Sequence, residues 1–128
     1  SCGEALSGKA FFCALTAGGS EQAYQTDGYN HFKIRELLHP LEQTASLTLM
    51  HYLAPFTLYS SRSAVEEQRV AIHLADWQQL LTALTENRVD LEKAAELDQL
   101  NGDLSQLILP IKPSVVSEHK TTEAANHD

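Results

Sequence analysis

A glycine pair that follows an apolar run is the feature of this sequence best suited to hold a ligand. Residues 11–15 are all apolar and end at Thr16-Ala17-Gly18-Gly19-Ser20. A short apolar run closed by glycine is typical of a strand covered on both faces. Two glycines let the backbone turn sharply and approach a bound molecule closely. Since ligands bind at the carboxyl ends of strands in open α/β sheets, loop 16–19 is the candidate site.

The other reactive side chains do not form a recognisable catalytic set. His39, His51 and His73 fall on different predicted elements, whereas a metal site needs converging ligands, so we expect no metal. The adjacent pair Glu66-Glu67 suits a solvated first turn of a helix better than a catalytic pair of carboxylates. The serines lack the nucleophile-elbow context of a hydrolase.

Composition and charge limit the classes of protein to which this chain can belong. With 128 residues and 43% hydrophobic residues, the chain can form one domain with a core. The formal net charge of −8 argues against a nucleic-acid binder, which needs a basic face. No apolar stretch approaches the roughly 20 residues of a membrane span, and since the first residues lack a charged-then-apolar pattern, we expect no signal sequence. Cys2 and Cys13 have no metal-binding spacing, so we expect a reduced, cytoplasmic protein in which Cys13 is a small buried hydrophobe.

Strand–helix–strand periodicity follows the glycine loop. Residues 24–31 are polar, and Asp27-Gly28 predicts a turn. Apolar residues at helical spacing predict a helix over 34–47, with Asn30 or His31 as its cap. Pro40 predicts a break in it. Residues 51–60 predict a second strand, parallel to the strand 11–16, in which Pro55 suits an edge position or an irregular start.

The rest of the chain reads as helical. A long helix is predicted over 63–87, with Ser63 and Glu66 as a capping box. Its predicted apolar stripe consists of Val70, Leu74, Trp77, Leu81 and Leu84. Residues 90–109 predict one or two short helices that break near Asn101-Gly102, and the polar tail after Pro110 is expected to be mobile. We therefore divide the chain into 1–88, a helical extension 89–109 and a tail 110–128.

The run from Leu6 to Leu84 resembles the carboxyl-terminal half of flavodoxin-like NAD(P)H:quinone oxidoreductases. The resemblance lies in the strand ending Thr16-Ala17-Gly18-Gly19, in Tyr24 five residues later, in Leu37-Leu38-His39-Pro40 and in Tyr52-Leu53-Ala54-Pro55-Phe56. It is strongest to the branch of general-stress flavoproteins and ancillary oxidoreductases of glutathione-gated potassium efflux systems. The implied fold is α/β, the carboxyl-terminal part of a doubly wound parallel sheet.

The resemblance also implies an activity and site residues. Family members are homodimers that bind FMN and pass hydride from NAD(P)H to the flavin and on to a quinone. Thr16, Ala17, Gly18 and Gly19 would then bind the flavin edge through their backbone, and Tyr24 would stabilise charge during reduction. Animal relatives have a histidine six positions after this tyrosine, where this chain has Asn30 followed by His31.

Each of these roles has a simpler alternative. Tyr24 is either such a group or an amphipathic packing residue, and His31 is either a proton donor or a helix cap. The chain as a whole is either part of a flavoenzyme or a non-enzymatic interaction module, such as an ancillary subunit of a potassium efflux system at the inner face of the membrane.

The family's FMN phosphate loop and its aromatic flavin loop precede the matched region. We therefore expect that this chain lacks them and that it is inactive and does not retain FMN on its own. We also expect the edge of strand 11–16 to cause self-association, strand exchange between copies, or binding to the missing half.

Overall fold

The structure, a computed structural model, describes residues 3–102 and 104–111. It has an α/β architecture, as expected. The strands are β1 (Ala10–Phe11), β2 (Ala14–Thr16), β3 (His51–Tyr52) and β4 (Phe56–Leu58). The helices are α1 (Ile34–Leu37), α2 (His39–Leu47), α3 (Arg69–Thr85) and α4 (Leu91–Glu96), with 3-10 turns at Glu21–Tyr24 and Leu104–Gln106.

The strands pair in parallel, which confirms the predicted strand–helix–strand unit. β1 pairs with β3, and β2 pairs with β4 with Ala14 opposite Phe56. The register shifts by one residue between the two ladders because β3 and β4 are separated by one residue more than β1 and β2. Pro55 lies in this longer segment, where its missing N–H disturbs no ladder. The prediction of an irregular start at Pro55 is confirmed.

The expectation that strand 11–16 is covered on both faces is wrong. The run is split into β1 and β2, and Ala14 and Thr16 are exposed. Ala14 and Thr16 point to the same face of β2, which is exposed, whereas Leu15 on the opposite face is half-buried. A strand is covered on both faces only where layers of other elements pack on each side of a sheet.

The helix predicted over 34–47 has the expected break. α1 ends at Leu37, and α2 begins at His39 with Pro40 in its first turn, where a proline leaves no helical hydrogen bond unmade. The predicted cap is wrong, because Lys33 occupies the N-cap position and makes no side-chain capping bond. His31 precedes it with a φ of 62°, in the left-handed region.

The long helix begins six residues later than predicted, so the capping box at Ser63 and Glu66 is wrong. α3 starts at Arg69 and ends at Thr85. Gln68 stands before it with a φ of 57°, which a helix cannot continue through. The hydroxyl of Ser63 donates instead to the carbonyl of Ser60, so it is used in the turns that precede the helix.

The buried face of α3 also differs from the predicted stripe. Leu80 and Ala83 are fully buried, whereas Leu74 and Leu81 are 52% and 40% exposed. Trp77 is half-buried, and its ring lies 5.3 Å from that of Phe56. The helix carries apolar residues on two sides, and only one of these sides faces the sheet.

Residues after position 88 complete the hydrophobic core. Half of the buried core cluster comes from this part of the chain, and the whole cluster is Leu53, Ala54, Phe56, Leu80, Ala83, Val89, Ala94, Leu100, Leu104 and Leu107. The predicted helical break falls at Asn101-Gly102, between α4 and the second 3-10 turn. Of the tail predicted for 110–128, residues from 112 onward lie outside the described residues, as does Cys2.

Candidate functional site

The loop after β2 is fixed to the segment that follows β4. The Ala17 N–H donates to the Leu58 carbonyl at 2.8 Å, and the Ala17 carbonyl accepts from the Ser61 N–H at 3.0 Å. The Gly19 carbonyl accepts from the Ser60 N–H at 2.9 Å. Both backbone groups of Ala17 are therefore used within the chain, and the residue is buried. The loop is held in one conformation by its neighbour in the sheet.

Two donors of the same loop are free. The N–H groups of Gly18 and Gly19 form no hydrogen bond within residues 3–102 and 104–111. A Cβ at Gly18 would meet nothing within 4 Å, so this part of the loop faces open space. Thr16, at the end of β2, is exposed. The loop therefore presents backbone donors to solvent at the carboxyl end of the sheet.

Tyr24 lies directly on this loop. The 3-10 turn Glu21–Tyr24 is capped by Ser20, whose hydroxyl accepts from the Ala23 N–H at 3.3 Å. A Cβ at Gly19 would stand 3.1 Å from Cε2 of the Tyr24 ring, so glycine is what lets the ring approach the backbone. Tyr24 is half-buried, and its hydroxyl makes no hydrogen bond in the described part of the chain.

The polar loop 24–31 folds back on the 3-10 turn. The Gly28 N–H donates to the Gln25 carbonyl at 2.9 Å, which confirms the predicted turn at Asp27-Gly28. A Cβ at Gly28 would lie 2.1 Å from the carbonyl oxygen of Gln22, so the backbone approach requires glycine. The Asn30 N–H donates to the Ala23 carbonyl at 2.8 Å and closes the loop.

Asn30 and His31 are carried by the same loop as Tyr24. Asn30 is half-buried, and its backbone bond to Ala23 brings it beside the residue that precedes Tyr24. His31 is exposed. Neither side chain forms a hydrogen bond to another described residue. The catalytic roles predicted for these two residues and for Tyr24 stay predictions, as does flavin binding by Thr16 to Gly19.

Sequence reasoning missed Tyr59. Its ring centre lies 5.9 Å from that of Tyr24, and burial, followed by the nearby Glu21 and Asp98, raises the pKa of its hydroxyl. The two tyrosines share a pocket of about 180 Å³. The signal for Tyr59 was its position directly after a strand, at the same end of the sheet as the glycine loop.

A second cleft lies between the end of β4 and the start of α3. His73 lines it, and the His73 ring lies 4.5 Å from that of Phe56. Burial lowers the pKa of His73, although Asp76 nearby opposes this. Arg69 closes the cleft by donating to the carbonyls of Tyr59 and Ser60, both at 2.9 Å.

In the part of the chain that the structure describes, Cys13 and the other metal-binding residue types do not form a metal site. Cys13 is half-buried, and burial raises the pKa of its thiol, which favours the neutral form. Among the described residues, no three His, Cys, Asp or Glu side chains are arranged to hold a metal. None of the helices in residues 3–102 and 104–111 has the length and apolar character needed to cross a membrane.

Comparison with known proteins gives one matching family and several relatives. A family model described as a flavodoxin-like fold matches residues 1–81. The glutathione-regulated potassium-efflux system ancillary protein KefG of Serratia proteamaculans is 39% identical over 77 residues, which are 59% of this chain and 42% of that protein. General stress protein 14 of Bacillus subtilis is 40% identical over 65 residues, 51% of this chain and 37% of that protein.

The matched regions are short relative to the relatives. KefG of Yersinia pestis is 34% identical over 83 residues, 65% of this chain and 46% of that protein. The chain thus spans less than half the length of these curated relatives. No solved structure matches it.

Proposed function

The chain belongs to the family with a flavodoxin-like fold whose model matches residues 1–81, and on that premise we propose that it supplies the flavin-ring side of an FMN-dependent NAD(P)H oxidoreductase. The electron acceptor is a quinone or a similar two-electron acceptor. The branch of relatives it matches includes a general stress protein and potassium-efflux ancillary proteins. The assignment is to the site at loop 16–19 and Tyr24.

The observation that carries this proposal is the pair of free backbone donors at Gly18 and Gly19, next to the ring of Tyr24. The pyrimidine edge of a flavin presents carbonyl oxygens, which accept hydrogen bonds from backbone N–H groups. Gly18 has no neighbour within 4 Å of a Cβ, so a flat ring has room to lie against the loop. These residues fit a flavin ring.

Not all of the backbone groups predicted to contact the flavin edge are free to do so. Both backbone groups of Ala17 are bonded within the chain, so Gly18 and Gly19 would hold the ring edge, with Thr16 at the exposed end of β2. A bound FMN would supply hydride acceptance from NADH or NADPH and two-electron transfer to the acceptor. Backbone donors of this kind orient a ring, whereas its retention depends on further contacts.

The side chains beside the loop have the chemistry that flavin reduction needs. The Tyr24 hydroxyl would donate a hydrogen bond where negative charge gathers, and the fixed loop would keep that donor in place. Asn30 or His31 would supply a second hydrogen bond, and His31 is the one of the two that can also hold a proton. Loop 24–31 positions all three from one compact segment.

A second candidate function rests on the relatives' names. Several relatives are called ancillary proteins of a glutathione-regulated potassium-efflux system. The alternative proposal is that this chain acts in such an assembly as a non-enzymatic interaction module, in contact with a potassium efflux membrane protein on its cytoplasmic side. A homodimer is proposed in either case.

The test is flavin binding by the full chain and by Gly18→Ala. Wild-type chain is expected to quench flavin fluorescence weakly, with a Kd above about 100 µM, because ring-edge donors alone bind weakly. FMN and riboflavin should bind equally if the ring edge is what is recognised. Gly18→Ala should weaken both about fivefold or more, since its methyl group occupies the open face.

Stability provides the control for that variant. A methyl group at Gly18 meets no atom within 4 Å, so the unfolding midpoint should stay unchanged. Equal flavin binding by wild type and Gly18→Ala, or no quenching by wild type at millimolar concentrations, would count against the flavin proposal and favour the interaction module.

A further inference from the structure

The segment 97–101, which we call the C-terminal strap, contacts both ends of the loop that carries the candidate site. The Gln99 side-chain amide donates to the Glu21 carboxylate at 3.1 Å, and Glu21 is the first residue of the 3-10 turn that ends at Tyr24. The Lys33 ammonium donates to the Asp98 carboxylate at 2.7 Å, and Lys33 is the N-cap of α1. Site loop 21–33 is therefore held at its first and last residues by two consecutive residues of the strap.

The strap itself is firmly seated. Leu100 is 1% exposed and belongs to the hydrophobic core, and its N–H donates to the Pro55 carbonyl at 2.8 Å. The Arg35 guanidinium donates to the Leu97 carbonyl. Asn101, the last residue of the strap, also bonds the backbone of Thr57 in β4, so the strap is fixed to the core and to the outer edge of the sheet and provides a fixed reference for the loop.

We propose that the C-terminal strap is a positioning element for the candidate site, in which Asp98 and Gln99 fix both ends of site loop 21–33 and so hold Tyr24, Asn30 and His31 in place. This inference deepens the proposed function and rests on it for the identity of the ligand. The positioning of the loop itself does not depend on which ligand binds.

The two contacts suit positioning better than they suit global stability. Lys33 and Asp98 are 37% and 66% exposed, and an exposed ion pair contributes little to the free energy of unfolding. Loops, however, open at much lower free energy than the core, so a small interaction at each end changes the closed fraction of the loop. Positioning of reacting groups within about 1 Å is what such contacts supply.

Hydrogen exchange of the full chain tests this directly. The variant Asp98→Ala/Gln99→Ala should raise the exchange rates of amides in residues 22–32 about threefold to tenfold, because two weak contacts are lost. Amides of α3 should exchange as in wild type. The matched control is Glu96→Ala, which removes an exposed carboxylate two residues before Asp98 that forms no ion pair with another described residue. It should leave exchange of the loop unchanged.

The outcomes separate the two proposals. Faster exchange confined to the loop, with weaker riboflavin quenching than wild type, supports both. Faster exchange confined to the loop in a chain whose wild type binds no riboflavin supports positioning and overturns the flavin assignment alone. Unchanged loop exchange overturns the positioning role, and so does faster exchange throughout the chain, which would show that the strap is only structural.

Discussion

Asn101 makes with Thr57 both of the hydrogen bonds that a neighbouring strand residue would make. Its Oδ1 accepts from the Thr57 N–H at 3.0 Å, and its Nδ2 donates to the Thr57 carbonyl at 2.6 Å. Thr57 is in the middle of β4 and is 1% exposed. One side chain therefore satisfies the outer edge of β4, while the inner edge pairs with β2.

This relationship predicts a large effect of a small substitution. Asn101→Ala should lower the free energy of unfolding by about 2 kcal/mol, because it leaves a buried N–H and a buried carbonyl unpaired. Asn101→Asp should cost a similar amount, since a carboxylate oxygen would then face the Thr57 carbonyl. Urea unfolding measures both.

The control is Gln78→Ala, on the exposed part of α3, which should change the free energy of unfolding by less than about 0.5 kcal/mol. If Asn101→Ala is no more destabilising than this control, the amide does not support the edge of β4.

The elements with local signals could be predicted from the sequence. Pro40 predicts the break between α1 and α2, and the alternation of strand and helix patterns predicts that β2 and β4 pair in parallel. The start of α3 could not be predicted, because the left-handed conformation of Gln68 depends on the turns packed before it. Asn101-Gly102 reads as a turn, and nothing local shows that its amide bonds a residue 44 positions away.

The candidate site could likewise be predicted only where the signal is local. The glycine loop and Tyr24 stand out by residue type, and the structure brings them into contact. Which loop donors are free was not predictable, because the bond from Ala17 to Leu58 depends on the register of two strands far apart in the sequence. The strap was missed for the same reason, since the contacts of Asp98 and Gln99 are long-range.

Gly28 should be the least replaceable residue of the site loop. Gly28→Ala places a Cβ 2.1 Å from the Gln22 carbonyl oxygen and 2.8 Å from that of Ala23, both backbone atoms that have little room to move. The expected loss is about 1 to 3 kcal/mol of unfolding free energy. Gly18→Ala, which meets no atom within 4 Å, is the matched control. Equal stability of the two variants would contradict the tight approach at Gly28.

Tyr24→Phe should slow flavin reduction while it leaves flavin binding largely intact. The ring still packs on Gly19, but the hydroxyl that meets the developing charge is lost. Loss of one well-placed donor costs about 100-fold in rate. Because the chain alone is not expected to retain FMN, stopped-flow reduction by NADH or NADPH is measured with FMN present above its Kd. An unchanged rate would remove Tyr24 from the mechanism.

Because of His73, we expect the free energy of unfolding to fall in mild acid. Burial lowers its pKa below the ordinary value of 6.5, so the unfolded chain takes up the proton more readily. The contribution of neutral His73 to the free energy of unfolding is fully present above about pH 6.5. It is lost as the pH falls through the lower pKa of the folded state.

Thermal unfolding at pH 7.5 and pH 5.5 checks this linkage. The decrease in Tm should be smaller in His73→Gln, which stays neutral at both pH values. The same decrease in His73→Gln as in wild type would show that other groups carry the pH dependence.

The last prediction concerns the open edge of the sheet. The outer edge of β4 is closed by Leu100 and Asn101, whereas β2 has no partner on its other edge among the described residues. Ala14 and Leu15 make that edge apolar, and an unpaired apolar edge favours pairing with a strand of another chain. We expect light scattering of the pure chain to show a molar mass that rises with concentration.

Ala14→Lys should shift the chain toward the monomer, because a lysine on an edge strand has to be desolvated before another strand can pair there. Ala71→Lys adds the same charge on an exposed position of α3 and should leave the association as it is in wild type. FMN titration of the same samples completes the test, since a chain with an unpartnered edge and only ring-edge donors should not retain the cofactor. A monodisperse monomer that binds FMN tightly and stoichiometrically would contradict both the open edge and the incomplete flavin site.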